Sequence, residues 1–160
     1  MKYLLTFLVI LNSAFASNDV AFNLRWKLVR DNDISIVWKA RNVKNIFASI
    51  STIKRKSDIK LYKNMAYFKE LLAKKNKMLS FSGISDWKVA SHKWVKGKSD
   101  EVSLTFAGSY KDHRGTQITY TEIHKFSKGK VTQILYTQPN STKTDPALKV
   151  QLFQKYGVSL

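Results

Sequence analysis

Apolar and polar residues alternate with a period of two over much of this 160-residue chain, and this alternation limits the fold more than any other feature. In a β-strand every second side chain points to the same face, so such a segment is predicted to form a half-buried strand. Seven segments show this alternation or a matching enrichment in β-branched residues: 22–28, 34–38, 46–53, 87–95, 101–110, 116–126 and 131–137.

Short loops that contain glycine or turn residues join the last four of these segments. They read KGKS at 96–99, KDHRG at 111–115 and SKGK at 127–130. Loops of a few residues between alternating runs are typical of β-hairpins. The C-terminal half of the chain is therefore predicted to be an antiparallel meander.

A different period appears at 59–79, where apolar residues recur at steps of three and four. This spacing places them on one face of a predicted helix, with Asp58 as its N-cap. The inner face consists of Leu61, Met65, Phe68, Leu72 and Leu79. The lysines predicted to face outward are Lys69, Lys74, Lys75 and Lys77.

The end of the chain predicts a second helix. Asp145 is a suitable N-cap, Pro146 suits the first helical position, and Gly157 is a typical stop. The apolar stripe of this helix comprises Leu148, Leu152, Phe153 and Tyr156. The predicted order is β-β-β-α-β-β-β-β-α, an α+β fold in which an antiparallel sheet of about seven strands packs with two helices.

The segments WKVASHKW (87–94), FAGSYKD (106–112), TYTEIHKF (119–126) and DPALKVQLFQKYG (145–157) stand where the PsbP-like superfamily has a strand, a long hairpin and a final helix. The chain resembles that superfamily over nearly all of residues 17–160. The resemblance implies a C-terminal helix packed back on the sheet, and a binding or assembly role rather than catalysis. An NTF2-like cone is the alternative fold, although such cones usually begin with helices.

The first sixteen residues, MKYLLTFLVILNSAFA, are typical of a secretory signal peptide. The apolar run at 3–11 is much shorter than the roughly 20 residues that span a bilayer, and Ala14-Phe15-Ala16 is a suitable cleavage site. No cysteine follows, so a lipoprotein is not expected. We predict that residues 17–160 form one soluble domain, exported to the periplasm or secreted, with no transmembrane segment.

The charge balance is strongly basic. Without the predicted signal peptide, 27 basic residues stand against 11 acidic residues, a net charge of +16. Such a field favours anionic partners, including phospholipid head groups, lipopolysaccharide, teichoic acids and nucleic acid. Export and the lack of an RNA-binding motif argue against nucleic acid. The bland alternative is that the lysines serve solubility alone.

The candidate site residues fall in one hairpin. Glu122 and His124 are two apart on a predicted strand, so they share a face and could form a pocket. The loop KDHRG should expose Lys111, His113 and Arg114 at its tip, where they could contact an anionic partner. The ten-residue separation of Arg114 and His124 argues that His113 and His124 belong to different sites.

The absence of cysteine excludes thiol catalysis and thiolate metal sites, and only three histidines are present. Glycine-rich phosphate loops and nucleophile elbows are also missing, so no catalytic residue, metal or cofactor is predicted. We therefore predict a non-enzymatic binding or assembly protein of the cell envelope, whose partner is an anionic envelope component or another protein. The alternatives are a small enzyme and a ligand-binding cone with a pocket near Glu122 and His124.

Overall fold

The computed structural model describes residues 21–54, 65–96, 101–127, 129–143 and 145–158. The strands are β1 (Trp26–Asp31), β2 (Ser35–Ala40), β3 (Phe47–Lys54), β4 (Ser85–Lys96), β5 (Val102–Lys111), β6 (Gln117–Ser127) and β7 (Lys130–Pro139). The helices with defined bounds are α1 (Met65–Phe81) and α2 (Pro146–Lys155). The predicted signal peptide, the Asp58 cap and residues 59–64 of the predicted first helix lie outside the described residues.

All seven strands belong to one antiparallel sheet with the order β1-β2-β3-β7-β6-β5-β4. Within the described residues, the seven predicted strands and the two longer helices occur in the predicted order, and the C-terminal meander pairs as expected. The structure adds a helical segment at 21–25, before β1. The sheet is continuous because β7 pairs with β3. This pairing joins the N-terminal three strands to the C-terminal four. The α+β class is therefore compatible with the structure.

The predicted start of the first strand is wrong. Residues 21–25 are helical, and β1 begins only at Trp26. Phe22 and Trp26 are four residues apart, a spacing that also fits one face of a helix, and both side chains are buried. Their rings stack 6.0 Å apart and pack in the same core as α2. We attribute the helical conformation of residues 21–25 to the burial of both rings in that core. The local alternation of apolar and polar residues gives no information about packing against α2.

The core on one face of the sheet lies under α2. Leu148, Leu152 and Phe153 of this helix are buried against β-strand residues that include Ile123 and Ile134. The predicted caps of α2 are confirmed, because Asp145 accepts a hydrogen bond from the Ala147 N–H at 2.9 Å and Gly157 has a φ of 69°. Both caps satisfy backbone groups that a helix leaves unpaired at its ends.

The core on the opposite face lies under α1. Phe68 of the helix is buried with residues of β5, β6 and β7, including Phe106 and Phe126. The prediction that Lys75 faces outward is wrong, because its ammonium reaches β6 and pairs with Glu122. The Glu122 carboxylate is buried on the sheet, and its pairing with Lys75 holds the lysine in the interface. The spacing of residues along the helix gives no information about this partner, so it grouped Lys75 with the surface lysines.

Strand β4 bends over β5 at a bulge between Val89 and Ser91. The bend brings the Lys88 carbonyl so close to Gly108 that a Cβ at position 108 would lie 1.8 Å from the oxygen. The Tyr120 hydroxyl donates to the same carbonyl at 3.2 Å. Glycine is therefore required at position 108 by close backbone approach, and the bend shapes the surface beside α2.

Candidate functional site

The first candidate is the buried cluster formed by Lys75, Glu122 and His124. The sequence predicts that Glu122 and His124 share a face, and the structure brings them together: His124 Nε2 lies 2.7 Å from Glu122 Oε1. The other carboxylate oxygen accepts from the Lys75 ammonium. Glu122 is 3% exposed and His124 is 0% exposed, so both oxygens of Glu122 are engaged inside the α1 interface.

Aromatic rings surround this cluster. The Lys75 ammonium lies 5.3 Å from the centre of the Phe106 ring, and the His124 ring lies 5.5 Å from the same ring. Burial lowers the pKa of Lys75 to about 8, because a low-dielectric surrounding disfavours the charged form. The ammonium is still protonated at neutral pH, and the cluster is an ion pair with an attached imidazole, held between helix and sheet.

The hairpin tip, residues 111–116, holds the other three predicted site residues. Asp112 fixes the loop by accepting the backbone N–H groups of Arg114 and Thr116 at 2.9 and 2.8 Å. Both hydrogen bonds lower the pKa of Asp112, and the bond from Thr116 has the larger effect. His113 and Arg114 are exposed, and the Arg114 Nε donates to His113 Nε2 at 3.3 Å.

Lys111, at the base of this tip, is bound within the protein. Its ammonium lies 2.8 Å from Asp86 Oδ2, and this hydrogen bond raises the pKa of Lys111 and lowers that of Asp86. The tip and the buried cluster are separate, as the sequence predicts: His124 lies inside the α1 interface, whereas His113 is at the end of the sheet.

The second candidate is an open groove on the α2 face, which the sequence analysis missed. We call it the hydroxyl groove, and its volume is about 460 Å³. Its polar lining comprises Ser109, Thr119, Thr121, Tyr136, Gln138 and Lys149, and its floor includes Ala90, Ala107 and Gly108.

The strand register explains why these groups converge. Ala107, Thr121 and Tyr136 are direct neighbours across three strands. Ser109, Thr119 and Gln138 form the next row on the same face. Helix α2 covers the larger residues of this face, so a strip of small side chains stays beside it. The signal in the sequence is the alternation of hydroxyl or small residues with apolar ones in β5 and β6, which predicts a polar second face.

Tyr136 and Lys149 bring partly or fully buried polar groups to the groove. The Tyr136 hydroxyl donates to Gln138 Oε1 at 2.8 Å, and burial raises the pKa of Tyr136 to about 12, which keeps the phenol protonated. Burial lowers the pKa of Lys149. Within the described part of the chain, Lys149 has no ion-pair or hydrogen-bond partner. A bound anion would relieve the desolvation of this ammonium.

Among the described residues, no group of three or more acidic or histidine side chains is close enough to hold a metal ion. In the same residues, no helix has the length and apolar composition needed to cross a membrane.

Comparisons with known proteins show no family for this chain. No protein family model matches the chain, and no curated protein matches it. A crystal structure from Bacteroides thetaiotaomicron VPI-5482 is similar with a TM-score of 0.48 and 14% identity over 78% of this chain, which spans 39% of that protein. The protein of unknown function PA94 from Pseudomonas aeruginosa, described as a putative regulator, has a TM-score of 0.48 and 10% identity over 73% of this chain and 85% of its own.

Proposed function

We propose that this chain is an exported, non-enzymatic binding protein of the cell envelope, and that it holds a phosphorylated sugar of an envelope glycan in the hydroxyl groove. The observation that carries the proposal is the combination of converging hydroxyl and amide groups with a partly desolvated ammonium at Lys149, which has no ion-pair partner among the described residues. Sugar hydroxyls would exchange hydrogen bonds with Thr121, Ser109 and neighbouring groups, and Lys149 would neutralise the phosphate.

The overall charge supports an anionic ligand. The chain carries 28 basic and 11 acidic residues, so its field attracts anions before any contact is made. A groove of about 460 Å³ is within the range of small-ligand sites. The predicted signal peptide supports a location at which phosphorylated glycans occur, and the resemblance to the PsbP-like superfamily remains a prediction in agreement with a binding role.

The alternative function is an enzyme with a pocket near Glu122 and His124. It has weaker support, because a general acid or base must reach the substrate proton. Here α1 covers both side chains, and Lys75 and His124 occupy the two carboxylate oxygens. The geometry fits a cluster that fixes α1 on the sheet better than a reaction centre.

Calorimetric titration with glucose 6-phosphate at low salt tests the proposal, with glucose and inorganic phosphate as separate probes. We expect glucose 6-phosphate to bind more tightly than either probe. Lys149→Gln should weaken binding about tenfold, because a hydrogen bond to a charged group contributes about 1.5 kcal/mol or more. Thr121→Val, which keeps the shape but removes a hydroxyl, should weaken it about fivefold.

Lys69→Gln is the matched control, because it removes the same charge from an exposed position on α1. Equal affinity of the wild-type protein and Lys149→Gln would overturn the assignment of the groove. Absence of glucose 6-phosphate binding at millimolar concentration and low salt would overturn the ligand class.

A further inference from the structure

The last turns of α1 expose two large apolar side chains. Met78 is 67% exposed and Phe81 is 82% exposed, although other residues of the same helix pack in the core. Lys74 precedes Met78 by four positions and Lys77 precedes Phe81 by four, so the four side chains form one stripe along the helix. A contiguous group of exposed apolar residues rimmed by charged residues is typical of a surface that binds a protein or a membrane.

The hairpin tip lies at the same end of the molecule. A Cβ on Gly83, two residues after Phe81, would lie 3.3 Å from the Cβ of His113. The exposed Arg114 follows directly in that loop. The end of α1 and the hairpin tip therefore form one surface, which we call the Phe81 patch: Lys74, Lys77, Met78, Phe81 and Arg114.

The acidic residues near this surface are already engaged. Asp112 accepts two backbone N–H groups of its own loop, and Asp86 pairs with Lys111. In the described part of the chain Lys77 has no ion-pair partner. Lys74 of the patch pairs with Glu70, so among the described residues the positive charge without an acidic partner comes from Lys77 and Arg114. This charge lies beside the two apolar side chains.

We propose that the Phe81 patch docks on the surface of an anionic lipid bilayer. Phe81 and Met78 enter the boundary between head groups and acyl chains, and Lys77 and Arg114 lie at the level of the phosphates. This occupant matches both the charge and the apolar character of the patch, since anionic lipid surfaces place negative head groups directly above an apolar layer. The proposal does not depend on the ligand of the hydroxyl groove.

Vesicle flotation tests the proposal with the chain lacking residues 1–16, the form expected after export. The vesicles contain phosphatidylcholine alone or a mixture with phosphatidylglycerol. We expect binding to the anionic vesicles only, and less of it as salt increases. Phe81→Ser should lower partitioning about tenfold, because it removes a large apolar side chain that becomes buried. Lys77→Gln should lower it about fivefold.

Two controls separate this surface from the rest of the molecule. Ile34→Ser changes an exposed apolar side chain in the β1–β2 turn, 77% exposed, and should bind like wild type. Lys69→Gln, which removes the same charge as Lys77→Gln from an exposed position on α1 outside the patch, should also bind vesicles like wild type.

Equal binding to neutral and anionic vesicles would overturn the proposal. So would an equal loss in Phe81→Ser and Ile34→Ser. Self-association that Phe81→Ser abolishes, without vesicle binding by the wild-type protein, would also overturn it and assign the patch to a second copy of the chain.

Discussion

Replacement of Lys75 by methionine tests the buried cluster beneath α1. Methionine keeps most of the length and apolar volume of the lysine stem but removes the ammonium. The variant leaves Glu122, which is 3% exposed, with the His124 imidazole at 2.7 Å as its remaining partner in the cluster. Removal of one member of a buried ion pair typically costs about 3–5 kcal/mol, because the other charge remains buried.

An upper limit follows from proton uptake. In the variant, Glu122 can become neutral by binding a proton on folding. At pH 7 this costs about 3.7 kcal/mol, since the ordinary glutamate pKa is about 4.3 and each pH unit corresponds to about 1.36 kcal/mol. We therefore expect Lys75→Met to lower the free energy of unfolding by about 3 kcal/mol at pH 7.

The loss should shrink in acid. In the variant the folded state holds a proton on Glu122 that the unfolded state loses above about pH 4.3. A raised pKa in the folded state gives stability that is complete below the unfolded pKa and declines as pH rises. The destabilisation relative to wild type should therefore fall to about 1 kcal/mol at pH 5.

Urea unfolding followed by tryptophan fluorescence at pH 7 and pH 5 measures these differences. Lys74→Met is the matched control, because Lys74 is the adjacent residue and makes an exposed pair with Glu70 on the helix surface. Its loss should be about 0.5 kcal/mol or less. The reasoning fails if Lys75→Met and Lys74→Met are equally stable at pH 7, or if the loss in Lys75→Met is the same at both pH values.

Two pairs of substitutions test the bend of β4 and the cap of α2. Gly108→Ala should destabilise the fold by about 3 kcal/mol in urea unfolding, because its Cβ would collide with the Lys88 carbonyl. Gly115→Ala is the control, because a Cβ at this position meets open space although φ is 78°. It should cost only about 1 kcal/mol in the same measurement. Asp145→Ala should lower stability by about 1 kcal/mol, because the hydrogen bond from the Ala147 N–H is lost. Asp145→Asn should keep most of this stability in thermal unfolding, since asparagine also caps helices. Equal melting temperatures for the two variants would contradict a capping role.

The two candidate sites were only partly predictable from the sequence. Some of their groups meet within one strand, whereas others meet only when segments far apart in the chain pack together. The pairing of Glu122 with His124 follows from the two-residue period of one strand. The role of Lys75 does not, because its partner is 47 residues away and on another element. The hydroxyl groove also escapes a local analysis, since Thr121, Tyr136 and Lys149 meet only when three elements pack together.

The sequence by itself determined the seven strands and the two longer helices in their order, the hairpin loops and the caps of α2, because periodicity and turn chemistry act over a few residues. It also determined the strongly basic charge. Only the tertiary structure decided that residues 21–25 are helical, that β7 lies beside β3, and that Lys75 is drawn inward. These outcomes depend on burial and on pairing between distant segments, and they also create the two surfaces proposed here for ligand and lipid. The physical reason is that side chains far apart in the chain pack in the same core. This packing, rather than the local sequence pattern, decides the conformation of such segments.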